Sequence, residues 1–456
     1  MRLYKNFPYS FDLALIFSAS LLLIIWCIPN TIALRNITLF IGACVAIAVI
    51  SNNYLLVDLS NRRWVPLFFL GGLFVWVPLH FLFFSLDWDL ELNEIRGIWA
   101  RSFAGALIAI ALPIALIKKP KLIKLINICF LSTPAINICL YFYASFSAGY
   151  FLTPQTYVTN YIFKKIETVF YGSLFIAIAC GNIAFLFSRL KKQSIDYKIY
   201  GNASVWFIGV MICILSAIIS NTKNGIIISL FSIAVLILVV IFNFFRKKIK
   251  NWLCIFIVAG ALALTLNALS IHMKFSDAGW NSLYGDIKIA VQIDDFQEWK
   301  TSNGAEVLPV NSFGGVVNGS TYMRVAWAIA GARLIVQHPF GYGSINRSFD
   351  LLLQRDSIEH WSHGQTHSGW VDFGLAYGIP GIILLLGALI SIILLSLKFN
   401  SCNSYLCFFI AICFIPLALI AETTWKQYFE STIFYITFAA ALLLVDHSVN
   451  LSAKEN

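Results

Sequence analysis

From Ile226 to Phe245 the chain runs twenty residues without a charge or a proline. A block of that length is about what a helix needs to cross the hydrocarbon core of a bilayer. It is too long and too uniformly apolar for a barrel strand, which alternates over about ten residues. Inside lipid the backbone must satisfy its own polar groups, so such a block folds as a helix. Similar blocks recur along the chain: 59% of its 456 residues are hydrophobic, 12% are charged, and the mean hydropathy is +0.80. That composition excludes a water-soluble α/β enzyme and supplies roughly a dozen spans. The predicted fold class is an all-α polytopic membrane protein.

Uncharged windows of helical length place spans near residues 12–28, 37–57, 65–85, 97–117, 125–146, 168–188, 203–220, 225–245, 252–270, 371–396, 403–421 and 431–446. Arg2 and Lys5 precede an apolar run with no small-residue cleavage pattern, so that run is expected to stay as the first helix. Twelve spans put both termini on one side. The alternating short loops divide 18 Lys and Arg from 6, the poorer set holding Arg35, Arg96, Lys164, Lys165, Lys223 and Lys426 beside an acidic group at Asp87, Asp89, Glu91 and Glu94. Positive charge collects on the cytoplasmic side, which predicts cytoplasmic termini. The formal surplus of +10 is thereby explained by loops that hold topology and meet anionic lipid, without a nucleic-acid partner. The ten cysteines fall in spans or at their edges, where thiols act as small apolar side chains.

Residues 271–370 differ. They carry 16 charges and five of the seven histidines: His272, His338, His360, His363 and His367. The organisation predicted is nine spans over 1–270, a large outward loop over 271–370, and three spans with a short cytoplasmic tail over 371–456. A loop of that length is unusual unless it binds or covers something. A helix is expected from Ser320 to Val336, with Met323, Trp327, Ala330 and Leu334 as an apolar face for the membrane surface or the bundle. Phe340-Gly341-Tyr342-Gly343 should form a turn, and a second amphipathic helix should run from about Ile345 to Ile358. His367 then stands at the start of the tenth span.

Three stretches carry a family resemblance: Arg324-x2-Trp327 leading to His338-Pro339-Phe340-Gly341-Tyr342-Gly343; His367-Ser368 with nine residues to Gly378; and two more to Gly381. Their order and spacing, with the long loop between spans nine and ten, resemble the O-antigen ligase and polymerase superfamily of envelope glycosyltransferases. Where that family carries an arginine near the start of the eighth span, this chain has Lys223. The resemblance implies a GT-C-like architecture in the inner membrane of a Gram-negative cell. It also implies transfer of O antigen from undecaprenyl diphosphate to a hydroxyl of lipid A-core at the periplasmic face, without a cofactor or metal.

The chemistry itself needs fixed cations on the departing diphosphate and a base for the acceptor hydroxyl. Arg324, Lys223 and Arg333 are the expected diphosphate ligands, with Arg324 also counted as catalytic. His367 is the expected base, because imidazole suits proton transfer near neutral pH. No carboxylate pair near His367 suggests a covalent intermediate, so direct displacement with inversion is expected. Trp327, Gly341, Gly343, Ser368, Gly378 and Gly381 are expected to shape the site. Weighed against this are a divalent cation at Asp87-x-Asp89, a zinc site at His360, His363 and His367, an O-antigen polymerase, a protein O-glycosyltransferase and a glycolipid flippase. The flippase reading suffers because the spans are poor in charge.

Overall fold

The computed structural model describes residues 10–52, 62–160, 165–189, 197–247, 252–276, 280–300, 308–355, 364–398, 401–424 and 426–452. Helices account for nearly all of the regular structure among these residues. In chain order they are α1 (Ser10–Ile25), α2 (Ile32–Ser51), α3 (Val65–Phe83), α4 (Trp88–Glu94), α5 (Ala100–Lys118), α6 (Ile123–Ala148), α7 (Pro154–Asn160), α8 (Lys165–Ser188) and α9 (Tyr197–Ile219). Then follow α10 (Lys223–Lys247), α11 (Trp252–Phe275), α12 (Leu283–Ala290), α13 (Gly319–Gln337), α14 (Ser348–Arg355), α15 (Gly369–Ser396), α16 (Cys402–Ile420) and α17 (Lys426–Ser452). Every window predicted to span is occupied by a helix. Ten helices among the described residues are long and apolar enough to cross a membrane, and α1 is a shorter apolar one. The protein is an all-α, multi-pass membrane protein.

Two helices form the centre of the bundle. α8 is buried along nearly its whole length, and α17 along most of Gln427–Val445. Small residues permit this: a Cβ on Gly181 of α8 would stand 2.8 Å from the Cα of Leu406 and 3.0 Å from the carbonyl of Tyr405, so α16 packs backbone against backbone there. The outer helices turn large apolar side chains such as Phe40, Phe83 and Phe146 outward, as a lipid-facing surface requires. Buried charge occurs near one end of the bundle, where Glu430 of α17 forms an ion pair with Arg35 of α2 at 3.5 Å and accepts a hydrogen bond from Arg101 of α5 at 2.5 Å.

The loop before α15 has its own hydrophobic cluster, including Trp299, Tyr322, Trp327, Phe349 and Leu352, and it seats on Leu375 of α15. The apolar face of α13 is therefore spent inside protein, on this cluster and on α15, and not on a membrane surface. α13 begins one residue before the expected start, because Asn318 is the capping residue, its Oδ1 accepting from the Thr321 amide at 3.1 Å. The second helix of the loop, α14, starts at Ser348, later than expected; its predicted end lies outside the described residues.

α15 is kinked at Gly378, where φ is +67°. Pro380 has no amide proton, so the Ala376 carbonyl cannot find its helical partner. The Phe340–Gly343 turn supplies replacements: Tyr342 N–H donates to the Leu375 carbonyl and Gly343 N–H to the Ala376 carbonyl, both at 2.8 Å. In return Ile379 N–H donates to the Pro339 carbonyl at 2.8 Å, and Trp76 Nε1 caps the Tyr377 carbonyl at 2.9 Å. The approach is too close for side chains. A Cβ on Gly341 would lie 2.4 Å from the Ala376 oxygen and one on Gly378 2.2 Å from the Pro339 oxygen, and both residues hold positive φ. The paired glycines of the sequence motif thus form one clamp that docks the loop on the bundle.

The acidic group on the connection between α3 and α5 belongs to the same assembly, and not to a uniformly solvated loop. Glu91 and His80 meet at 2.8 Å and are wholly buried, and Glu94 accepts from Ser344 Oγ at 3.0 Å and Asn346 Nδ2 at 3.2 Å. Asp87 caps α4 through the Leu90 amide, leaving Asp89 exposed.

Candidate active site

His367 lies in the short turn that opens α15, with φ at +62°. Such a backbone is uncommon outside glycine and persists only where neighbours enforce it. Here Thr366 is pinned on one side, its amide and its hydroxyl both donating to Asp372 Oδ1 at 2.7 Å. On the other side Gly369 N–H donates to the Ala421 carbonyl at 3.1 Å, and Trp370 Nε1 donates to the Ile415 carbonyl at 2.9 Å. A Cβ on Gly369 would fall 2.0 Å from Thr423 Oγ1. The bare glycine is what lets the start of α15 press against the connection from α16 to α17.

That contact brings Glu422 to His367. The carboxylate meets His367 Nδ1, and Glu422 is 9% exposed against 28% for the imidazole. The outer face of the ring rests on Trp327 of α13, with centroids 5.5 Å apart and planes 27° from parallel. Trp327 is itself fixed through Nε1, which donates to the Trp299 carbonyl at 3.1 Å. Arg324 precedes Trp327 by three residues and shares its helix face, so the Arg-x2-Trp spacing sets the guanidinium about one turn from the ring that covers His367. Arg324 is solvent-accessible, yet enough protein surrounds it for desolvation to lower its pKa. It has no carboxylate partner among the described residues. A charge held that way favours an anionic ligand.

Lys223 is the first residue of α10. Its neighbour Asn224 donates to the Ile420 carbonyl at 2.6 Å, which ties the start of α10 to the end of α16, two residues before Glu422. Lys165, the first residue of α8, lies within electrostatic reach of Arg324. Three cations, Lys165 and Lys223 at helix starts and Arg324 in the second turn of α13, thus gather at the end of the bundle that holds His367.

Arg333 does not join them. Nine residues from Arg324 it faces the opposite side of α13, where Nη1 and Nη2 grip the two oxygens of exposed Asp294 at 2.6 and 2.7 Å. That bidentate pair raises the Arg333 pKa and commits the side chain to the surface. Ser368 is the cap residue of α15, and Gly381 packs beneath Tyr377 and Phe373 just past the kink. His360 and His363 lie outside the described residues. Among the described residues no group of three His, Cys, Asp or Glu is arranged to hold a metal ion.

The His367–Glu422 contact and the cations lie together at one end of the helical bundle, where a base and anion-binding groups can meet the same substrate. Residues 208–386, from α9 through the kink of α15, match the family model described as O-antigen ligase. Members of that family are glycosyltransferase-like enzymes, within a superfamily that includes both ligases and polymerases. No curated protein matches the chain. Glu422, Asp372 and Gly369 were missed in the sequence reading, and Glu422 lies outside the matched stretch. The one signal for Glu422 is a single carboxylate in the five-residue connection between α16 and α17.

Proposed function

We propose that this protein is an O-antigen ligase, moving O antigen from undecaprenyl diphosphate to a sugar hydroxyl of lipid A-core at the periplasmic face of a Gram-negative inner membrane. The observation that carries the reading is the His367–Glu422 pair stacked under Trp327, one helical turn from Arg324. With Glu422 on Nδ1, Nε2 of His367 is the nitrogen suited to take a proton. It removes the acceptor hydroxyl proton as that oxygen attacks the anomeric carbon. The bond from that carbon to the diphosphate oxygen breaks, and the electron pair leaves with the polyprenyl diphosphate. Arg324 and Lys223 offset the charge that builds there, most effectively where water is sparse. Attack opposite the leaving group inverts the anomeric centre.

Both substrates carry lipid tails, so a site at the end of the bundle is reached by lateral diffusion. The cytoplasmic termini that the loop charges favour put this end on the periplasmic side. The test is complementation of a deletion strain. The wild-type gene should restore the ladder of long lipopolysaccharide, and His367→Ala or Arg324→Ala proteins inserted at normal levels should not. Lipid A-core capped by a single repeat in the deletion strain would instead identify a polymerase.

A further inference from the structure

His272 lies in the last turn of α11 and is wholly buried. Its Nδ1 accepts a hydrogen bond from Trp280 Nε1 at 3.0 Å. An indole nitrogen only donates, so Nδ1 carries no proton and the neutral ring holds its proton on Nε2. That Nε2–H is buried and has no hydrogen-bond partner among the described residues. Buried donors are paired in the great majority of cases, so an orphan needs a reason.

The surroundings supply one. Lys223 and Lys165 both act electrostatically on His272, and Lys165 is within reach of Arg324. Asp286 is also within electrostatic reach of Lys223, and it is held in place by its own hydrogen bonds: Oδ1 accepts from Asn311 Nδ2 at 2.9 Å, and Oδ2 accepts from Ser282 Oγ at 2.8 Å and the Asn318 amide at 3.2 Å. One oriented N–H and three cations therefore share a neighbourhood. A glycosylated polyprenyl diphosphate carries two negative charges, and the departing diphosphate gains a third.

We infer that His272 and Lys165 complete the diphosphate pocket, His272 donating through Nε2–H to a phosphate oxygen and Lys165 joining Lys223 and Arg324 as its third cation. This rests on the ligase reading and extends it to two residues outside the recognised motifs. Trp280 is the positioning residue, since its indole selects the tautomer that donates.

The experiment is binding of farnesyl diphosphate and farnesyl monophosphate to the purified full-length protein in detergent micelles. His272→Phe and Lys165→Met should each weaken farnesyl diphosphate about tenfold or more, the scale of one hydrogen bond or ion contact to a phosphate. Farnesyl monophosphate should change little, and His272→Gln, which can accept from Trp280 and still donate, should keep most of the affinity. Wild-type affinity for farnesyl diphosphate in His272→Phe and Lys165→Met, or equal loss for both probes, would overturn the assignment. If His272→Phe fails to fold, Trp280→Phe decides: diphosphate binding weakened severalfold supports the pocket, and unchanged binding contradicts it. Failure of the wild-type protein to bind farnesyl diphosphate would instead count against the ligase reading.

Discussion

Glu422 meets His367 Nδ1 across two helix junctions far apart in the sequence, the start of α15 and the connection from α16 to α17. The pair exists because Gly369 admits Thr423 where any side chain would hold the two segments apart. If Glu422 orients the imidazole and offsets its charge as it takes a proton, Glu422→Gln should cut ligation about a hundredfold, within the usual range for acid–base assistance. Insertion and thermal stability should stay near wild type. Full activity in a normally inserted Glu422→Gln protein would remove this role.

Gly369 gives a paired test. Gly369→Ala should lose activity, because its Cβ meets Thr423 Oγ1. Thr423→Ala in the same chain removes that oxygen and should recover part of the loss, a coupling expected only between residues in contact. Ligation rates of the two single variants and the double variant measure it.

The clamp glycines should behave differently from His367. Gly341→Ala and Gly378→Ala each force a side chain into positive φ against a backbone carbonyl. Strain of this kind costs about 1–3 kcal/mol before the clash is added. Thermal denaturation in detergent should show a lowered midpoint with activity lost alongside, whereas His367→Ala should lose activity at an unchanged midpoint.

The two arginines of α13 should separate cleanly. Arg324→Lys keeps the charge but loses the planar fork, and a fall of about tenfold to a hundredfold is expected. Arg333→Ala only releases an exposed pair with Asp294 and should leave ligation within about threefold of wild type. Steady-state rates with both variants check the contrast.

Inside the bundle, Glu430→Ala would leave Arg35 and Arg101 facing each other without their carboxylate. Breaking a buried pair by removing one partner costs about 3–5 kcal/mol. Poor insertion or a sharply lower thermal midpoint is the expected outcome, read by membrane-fraction yield.

Much of the bundle was legible because a bilayer demands long apolar helices, and composition reports those directly. The motif was legible as spacing. Its mechanical meaning was not: that Gly378 and Pro380 free carbonyls which the Gly341–Gly343 turn then occupies depends on two segments meeting in space. Glu91 and Glu94 read as solvated charges because sequence gives no sign that His80, Ser344 and Asn346 would enclose them. Lys165 stands out in the sequence only as a charge that sets topology, and Glu422 does not stand out at all. Each acquires chemistry from a partner on another helix, and that information lies in packing.

The most direct measurement is ligation by the purified protein in vesicles supplied with undecaprenyl-diphosphate-linked O antigen and lipid A-core. The expected result is long lipopolysaccharide from the wild-type protein and almost none from a correctly folded His367→Ala variant. Lipopolysaccharide formed at the wild-type rate by His367→Ala, or elongation of the polyprenyl-linked chain with lipid A-core left untouched, would contradict the ligase mechanism.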